Sequence, residues 1–225
     1  MNNLDGFINI NGDGISALEF IFLAALLTLL PSIVVMMTSF TRYVISLSFL
    51  RNALGTQQTP PNMVLVGIAL FLTLFTMGPT IDEINETAYA PYINGEIEMA
   101  EFFTRAGVPM KDFMLHQTDS SALELFCEMS NTEVPEGGIE TLAEVLPLRV
   151  VTPAFITSEL KKAFQIGFYL YIPFLLIDIV VSSTLMSMGM IMLPPAMIST
   201  PFKLLLFITI NGWELLFSTL VQGVR

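Results

Sequence analysis

From Ala163 to Leu193 the chain carries a single charge, Asp178. An apolar run of that length is long enough to cross a bilayer core, and it leaves few ways for a short chain to fold in water. It closes in the methionine-rich stretch Met186-Ser187-Met188-Gly189-Met190-Ile191-Met192-Leu193-Pro194-Pro195, and a base, Lys203, follows shortly after. A charge at the bilayer centre costs at least about 2.5–3.5 kcal/mol unless it is partnered or lines a cavity. Asp178 and Lys203 therefore read either as a structural ion pair or as part of a proton or ion pathway. Their order, helix then break then helix, lets them meet within a hairpin or between neighbouring copies. The methionines fit ordinary packing or a deformable seal, since thioethers repack easily. Their place in a Gly- and Pro-flanked break favours the seal, because irregular backbone at membrane depth must face protein or a cavity. A ring of such loops would form an apolar plug.

Composition points the same way. Hydrophobic residues make up 53% and charged residues 13%, against about 25% charged in soluble domains. The expected class is an all-α integral membrane protein. The net charge of −11 is local: between Asp82 and Glu144 there are fourteen acids and two bases, Arg105 and Lys111, while the remainder is nearly neutral. Nucleic-acid binding, which needs clustered bases, is excluded. The lone Cys127 excludes an intrachain disulfide and a cysteine zinc site, and His116 is also alone. No metal, cofactor or catalytic residue is expected. There is no Gly-rich phosphate loop, no second aspartate to pair with Asp178 as in an intramembrane protease, and only a thin relay for a proton carrier. Glu159, Lys161 and Lys162 read as a solvated amphipathic turn.

Along the chain, Ser16-Ala17-Leu18-Glu19 reads as a capping box opening a first apolar helix from Phe20 to Thr41, which Pro31 should kink or divide. Met1–Asp5 lacks the basic region of a signal peptide, so this stretch is expected to be retained. Gly55–Pro61 reads as a loop, and a second apolar run goes from Met63 to Pro79. Arg42 and Arg51 place the connection between the runs in the cytoplasm, with the acidic insert outside. Within the insert, helices are expected over 97–106, ended by Gly107, and over 109–117, with Pro109 at the first position. Ser121–Glu124 reads as a second capping box, and Pro135–Gly138 as a flexible turn. Thr152-Pro153 reads as a helix start, and one last helix is expected from about Pro201 to Val221. The division is 1–81 as an N-terminal hairpin, 82–150 as an acidic helical extracytoplasmic insert, and 151–225 as a C-terminal hairpin carrying the methionine loop. Four hydrophobic segments result, read as bent helices and hairpins packed against other protein copies.

Longer motifs add a resemblance. Ser48-Phe49-Leu50-Arg51-Asn52-Ala53-Leu54-Gly55 with Pro60-Pro61-Asn62, the stretch from Pro153 to Phe168, Leu193-Pro194-Pro195, Pro201–Phe207 and Gly212-Trp213 resemble the FliP family of type III secretion export-gate proteins. Tyr89-Ala90-Pro91, Phe113–Thr118 and Leu123–Phe126 are similar to its flagellar branch rather than to the virulence branch that builds injectisomes. The resemblance implies a bacterial inner-membrane protein of the flagellar basal body. It implies a ring of copies of this chain, a pentamer, with FliQ-, FliR- and FlhB-type subunits, through which unfolded flagellar proteins pass. It places a methionine gasket on Met190, Ile191 and Met192, with isoleucine where a third methionine is common, and an intersubunit charge pair on Asp178 and Lys203. It also implies a gate sitting largely outside the membrane plane. The competing class is a self-contained transporter coupling protons through Asp178 to a small substrate.

Overall fold

The computed structural model describes residues 9–10, 13–14, 17–133 and 137–224, with only part of the side chains in 17–30. The readings at Met1–Asp5 and at Ser16, and that of the turn at Pro135-Glu136, lie outside the described residues. Apart from a two-residue antiparallel pairing, Asn9–Ile10 with Asp13–Gly14, the described chain is helical. It divides into two units, residues 1–36 and 37–225. The first holds most of α1 (Ala17–Met37), which contains Pro31.

The second unit is built on α2 (Phe40–Leu54) packed along α9 (Leu148–Ser187). On α2, Phe40, Tyr43, Leu47, Leu50 and Leu54 are buried. Their alternating three- and four-residue spacing keeps one stripe facing a neighbouring helix. The buried residues of α9 include Val151, Ala154, Phe155, Ser158, Ala163 and Gly167; Phe155 meets Phe113 of the insert and Ser158 accepts from the Asp119 amide, while Gly167 lies against Phe49 of α2. The small residues Ala154, Ala163 and Gly167 let neighbouring backbones and rings approach closely. At Gly167 an added Cβ would stand 2.5 Å from the Phe49 ring.

The α2–α3 loop begins where Gly55 takes a left-handed φ of 73° and closes α2. Helix α3 (Asn62–Thr76) is followed by α4 (Gly78–Ile84) at a 58° bend. A π-helical turn (Asn85–Tyr89) and the short α5 (Ala90–Ile93) lead into the insert. There α6 (Met99–His116) packs against α8 (Ile139–Val145), and α7 (Ser120–Met129) against α9. After α9 come α10 (Pro195–Thr209) and α11 (Gly212–Gln222), bent by 65°. Among the described residues α9 is the one helix long and apolar enough to cross a membrane; if each bent pair is counted as one span, the number reaches four.

Several expected boundaries move. The two insert helices are one, α6, running through Gly107 and Pro109. Pro109 removes the donor for the Arg105 carbonyl, but Arg105 is exposed and water can replace the lost bond. Helix α7 starts at Ser120 after Asp119, one residue ahead of the expected capping box. Helix α9 starts at Leu148, so Pro153 lies inside it, and the carbonyl it orphans belongs to the exposed Arg149. The last helix is two, because Asn211 adopts a left-handed φ of 50°, a conformation Asn tolerates better than most residues. Gly212 follows with the Phe207 ring 2.2 Å from where a Cβ would be.

Gly167→Ala should lower stability by about 1–3 kcal/mol through overpacking against Phe49. Gly107→Ala, mid-helix with nothing within 4 Å of its Cβ position, should raise it by about 0.5–1 kcal/mol. Thermal unfolding of the purified protein in detergent distinguishes the two, and equal shifts would refute the packing argument.

Candidate functional site

The site is assembled around the far end of α9. Residues 188–194 break the chain between α9 and α10. The break is a Schellman stop: the Gly189 amide donates to the Met186 carbonyl (3.0 Å) and the Met190 amide to the Leu185 carbonyl (3.0 Å). Gly189 supplies the positive φ, 76°, which that turn requires. Pro194 and Pro195 then start α10, where a missing N–H costs nothing. Sequence thus places the three expected seal residues on a short loop held at both ends. Met190 is partly covered, while Ile191 and Met192 are 82% and 98% exposed. Beside them runs an apolar groove of about 730 Å³ lined by Leu176, Val180, Leu185, Met188, Met190 and Phe202.

Asp178 and Lys203 meet within the chain. Lys203 Nζ donates to Asp178 Oδ2 at 2.6 Å and to the Ala53 carbonyl, at the end of α2, at 3.0 Å. Lys203 is only 5% exposed, whereas Asp178 is half-buried. The lysine thus anchors α10 to both α9 and α2, and one oxygen of Asp178 is left for other partners.

A second charge centre was not visible in the sequence. Glu159, expected on a solvated turn, has 0% exposure and is held by Arg42. Arg42 Nε donates to Glu159 Oε2 at 2.8 Å, and Nη2 donates to Glu159 Oε1. Nη2 also donates to Gln117 Oε1 (3.0 Å), and Nη1 to the Gly223 carbonyl (2.6 Å). Gln117 Nε2 in turn donates to the Val224 carbonyl at 2.7 Å. The neighbouring lysines do stay towards solvent: Lys161 bonds Asp119 Oδ2 (2.7 Å) and Lys162 the Gln117 carbonyl (2.7 Å). The one signal that bears on it is an arginine beside an apolar run without a local acid; its partner lies 117 positions away on another helix. In the insert, Lys111 donates to the carbonyls of Glu144 and Leu146, and desolvation lowers its pKa although Glu144 opposes the shift. Burial raises the pKa of the Cys127 thiol. Among the described residues no group of three His, Cys, Asp or Glu could hold a metal ion.

Comparison with known proteins follows the same lines. The sequence pattern described as the FliP family matches residues 23–220. This chain belongs to the FliP family. It is 51% identical over 214 residues to the flagellar biosynthetic protein FliP of Aquifex aeolicus (strain VF5), covering 95% of this chain and 88% of that one. It is 48% identical over 208 residues to the protein so named from Bacillus subtilis (strain 168), covering 92% of each. With that of Caulobacter vibrioides it shares 49% over 223 residues, 97% of this chain and 82% of the other. The chain is a flagellar biosynthesis protein, and α9 gives it the character of a membrane protein.

Truncating one member of the Arg42–Glu159 pair leaves a buried charge without its partner. Glu159→Ala and Arg42→Ala should each cost about 3–5 kcal/mol. Asp178→Ala and Lys203→Ala should each cost less, about 1–3 kcal/mol, because Asp178 is partly solvated. The double variant of each pair should be more stable than the sum of its singles predicts. Strictly additive losses in a thermal double-mutant cycle would contradict direct pairing.

Proposed function

We propose that this chain is a core subunit of the flagellar type III protein export gate. It forms a ring of copies of itself, a pentamer, which assembles with FliQ-, FliR- and FlhB-type subunits in the bacterial inner membrane at the flagellar basal body. Unfolded flagellar proteins pass through the ring, and the chain performs no covalent chemistry. The observation that carries this reading is the loop 188–194, held rigidly at both ends while Ile191 and Met192 stand free of the chain's own core. Such side chains have no packing role within one copy. In a ring, Met190, Ile191 and Met192 from each copy converge to an apolar gasket that closes at rest and deforms around a passing chain.

Two further features support an assembly. Only 17% of the most apolar window of α9 is buried within the chain, so most of that surface is left for lipid or other subunits. Asp178 keeps one carboxylate oxygen unbonded beside Lys203, so the pair serves as a structural link that lies where copies meet. The three-part organisation assigns residues 1–81 and 151–225 to the gate and the acidic insert 82–150 to the extracytoplasmic side. The insert's acids are then solvated on the face opposite to the Arg51 loop.

Met190→Ala combined with Met192→Ala should make the resting gate leak ions. The conductance of cells, or of bilayers carrying the reconstituted complex, should rise several-fold over wild type. Unchanged conductance with normal assembly would remove the gasket assignment. Transport by the chain alone, without its partner subunits, would instead establish the transporter reading.

A further inference from the structure

Arg51 stands in the last turn of α2 without an acid. Among the described residues none of the salt bridges includes it. Its Nη1 donates to the Pro60 carbonyl (3.3 Å) and to Asn62 Oδ1. Its Nε is buried with no partner. A guanidinium carries five donors in a rigid fork, and its Nε–Nη2 edge is one of the two that can meet a pair of oxygens side by side. That edge is left unused here, and a buried N–H without a partner carries the full cost of its lost water.

The same arginine lines a polar cavity of about 410 Å³ with Gln57, Gln58, Pro61 and Asn62. The amides can donate to the same anion. Gln57 adopts a φ of 55°, a left-handed conformation that a non-glycine residue holds at a cost and that tends to mark functional loops. Lys203, the other cation near the end of α2, is neutralised by Asp178, so the charge of Arg51 is the one still to be matched. The cavity also stands at the foot of α3, whose Met63, Val64, Phe71 and Leu74 are exposed. An anion with apolar tails would meet both surfaces at once.

We propose that the Arg51 cavity binds the phosphate of an anionic lipid headgroup, the acyl chains lying along the exposed face of α3. The chemistry required is a phosphate oxyanion, met by Arg51 Nη2 and by the amides of Gln57 and Gln58. Free phosphate shares that oxyanion but not the tails. A zwitterionic lipid shares the phosphate but brings its own cation, leaving the Arg51 charge unmatched. This site is independent of the gate assignment, since it needs neither a ring nor an exported chain.

The test uses the full-length protein in detergent, with bound lipid counted by native mass spectrometry against phosphatidylglycerol, phosphatidylcholine and inorganic phosphate. Wild type should retain one more phosphatidylglycerol than Arg51→Gln and should prefer it over phosphatidylcholine about tenfold. Gln58→Glu places an acid on the cavity wall without touching the core. It should weaken phosphatidylglycerol binding about tenfold without lowering the thermal midpoint in lipid-free detergent, and it decides the matter if Arg51→Gln fails to fold. Equal phosphatidylglycerol occupancy in wild type and Gln58→Glu would overturn the proposal, as would equal affinity for the two lipids. Inorganic phosphate binding more tightly than phosphatidylglycerol would assign the cavity to free phosphate and overturn the lipid.

Discussion

The ion pair between Arg42 and Glu159 is the constraint around which the second unit is arranged. Both side chains are out of water, and a charge pair so placed is tolerable only when its remaining donors and acceptors are matched. They are matched by Gln117 at the end of α6 and by the Gly223 carbonyl just past α11. One guanidinium therefore joins four segments that are far apart in sequence. Shifting any one of them leaves an N–H or an oxygen facing a dry interior. Apolar packing between α2 and α9 tolerates small slips, whereas a two-pronged arginine–carboxylate contact does not.

The two charge centres along α9 differ in how complete they are. At Glu159 the carboxylate uses both oxygens on a single guanidinium, and Gln117 bridges outward to the Val224 carbonyl. At Asp178 one oxygen is engaged and the carboxylate remains half in the open. The first is closed within the chain and belongs to its fold. The second has room for a further donor.

Much of this was legible from the residues because it rests on local chemistry. The apolar run, the glycine and prolines that stop it, and the opposite charges on either side of the stop all act within a few turns of where they are written. The loop closed by Gly55 belongs to the same kind. What escaped were features decided by partners distant in sequence. Glu159 lies between an apolar stretch and two lysines, a setting shared by many surface turns, and only the arrival of Arg42 makes it interior. Gly107 and Pro109 read as a helix boundary, yet α6 continues through both because its exposed side lets water replace the missing bond. Asn211 is an ordinary polar residue by composition, and its left-handed backbone stands beside Gly212, whose missing side chain leaves room for the ring of Phe207.

Helix α9 has 40 residues, which at 1.5 Å per residue makes a rod of about 60 Å. The hydrocarbon of a bilayer is about 30 Å thick. A helix of this length that crosses a bilayer with ordinary tilt leaves roughly half of itself clear of the lipid tails. The half suited to that is the first, where Arg149, Lys161 and Lys162 lie and where the insert helices lean on it. Arg42 of α2 ties this half, through Glu159, to the end of α6 and to Gly223, while the methionine loop stands at the opposite end of the rod, as a weight hangs at the far end of a plumb line.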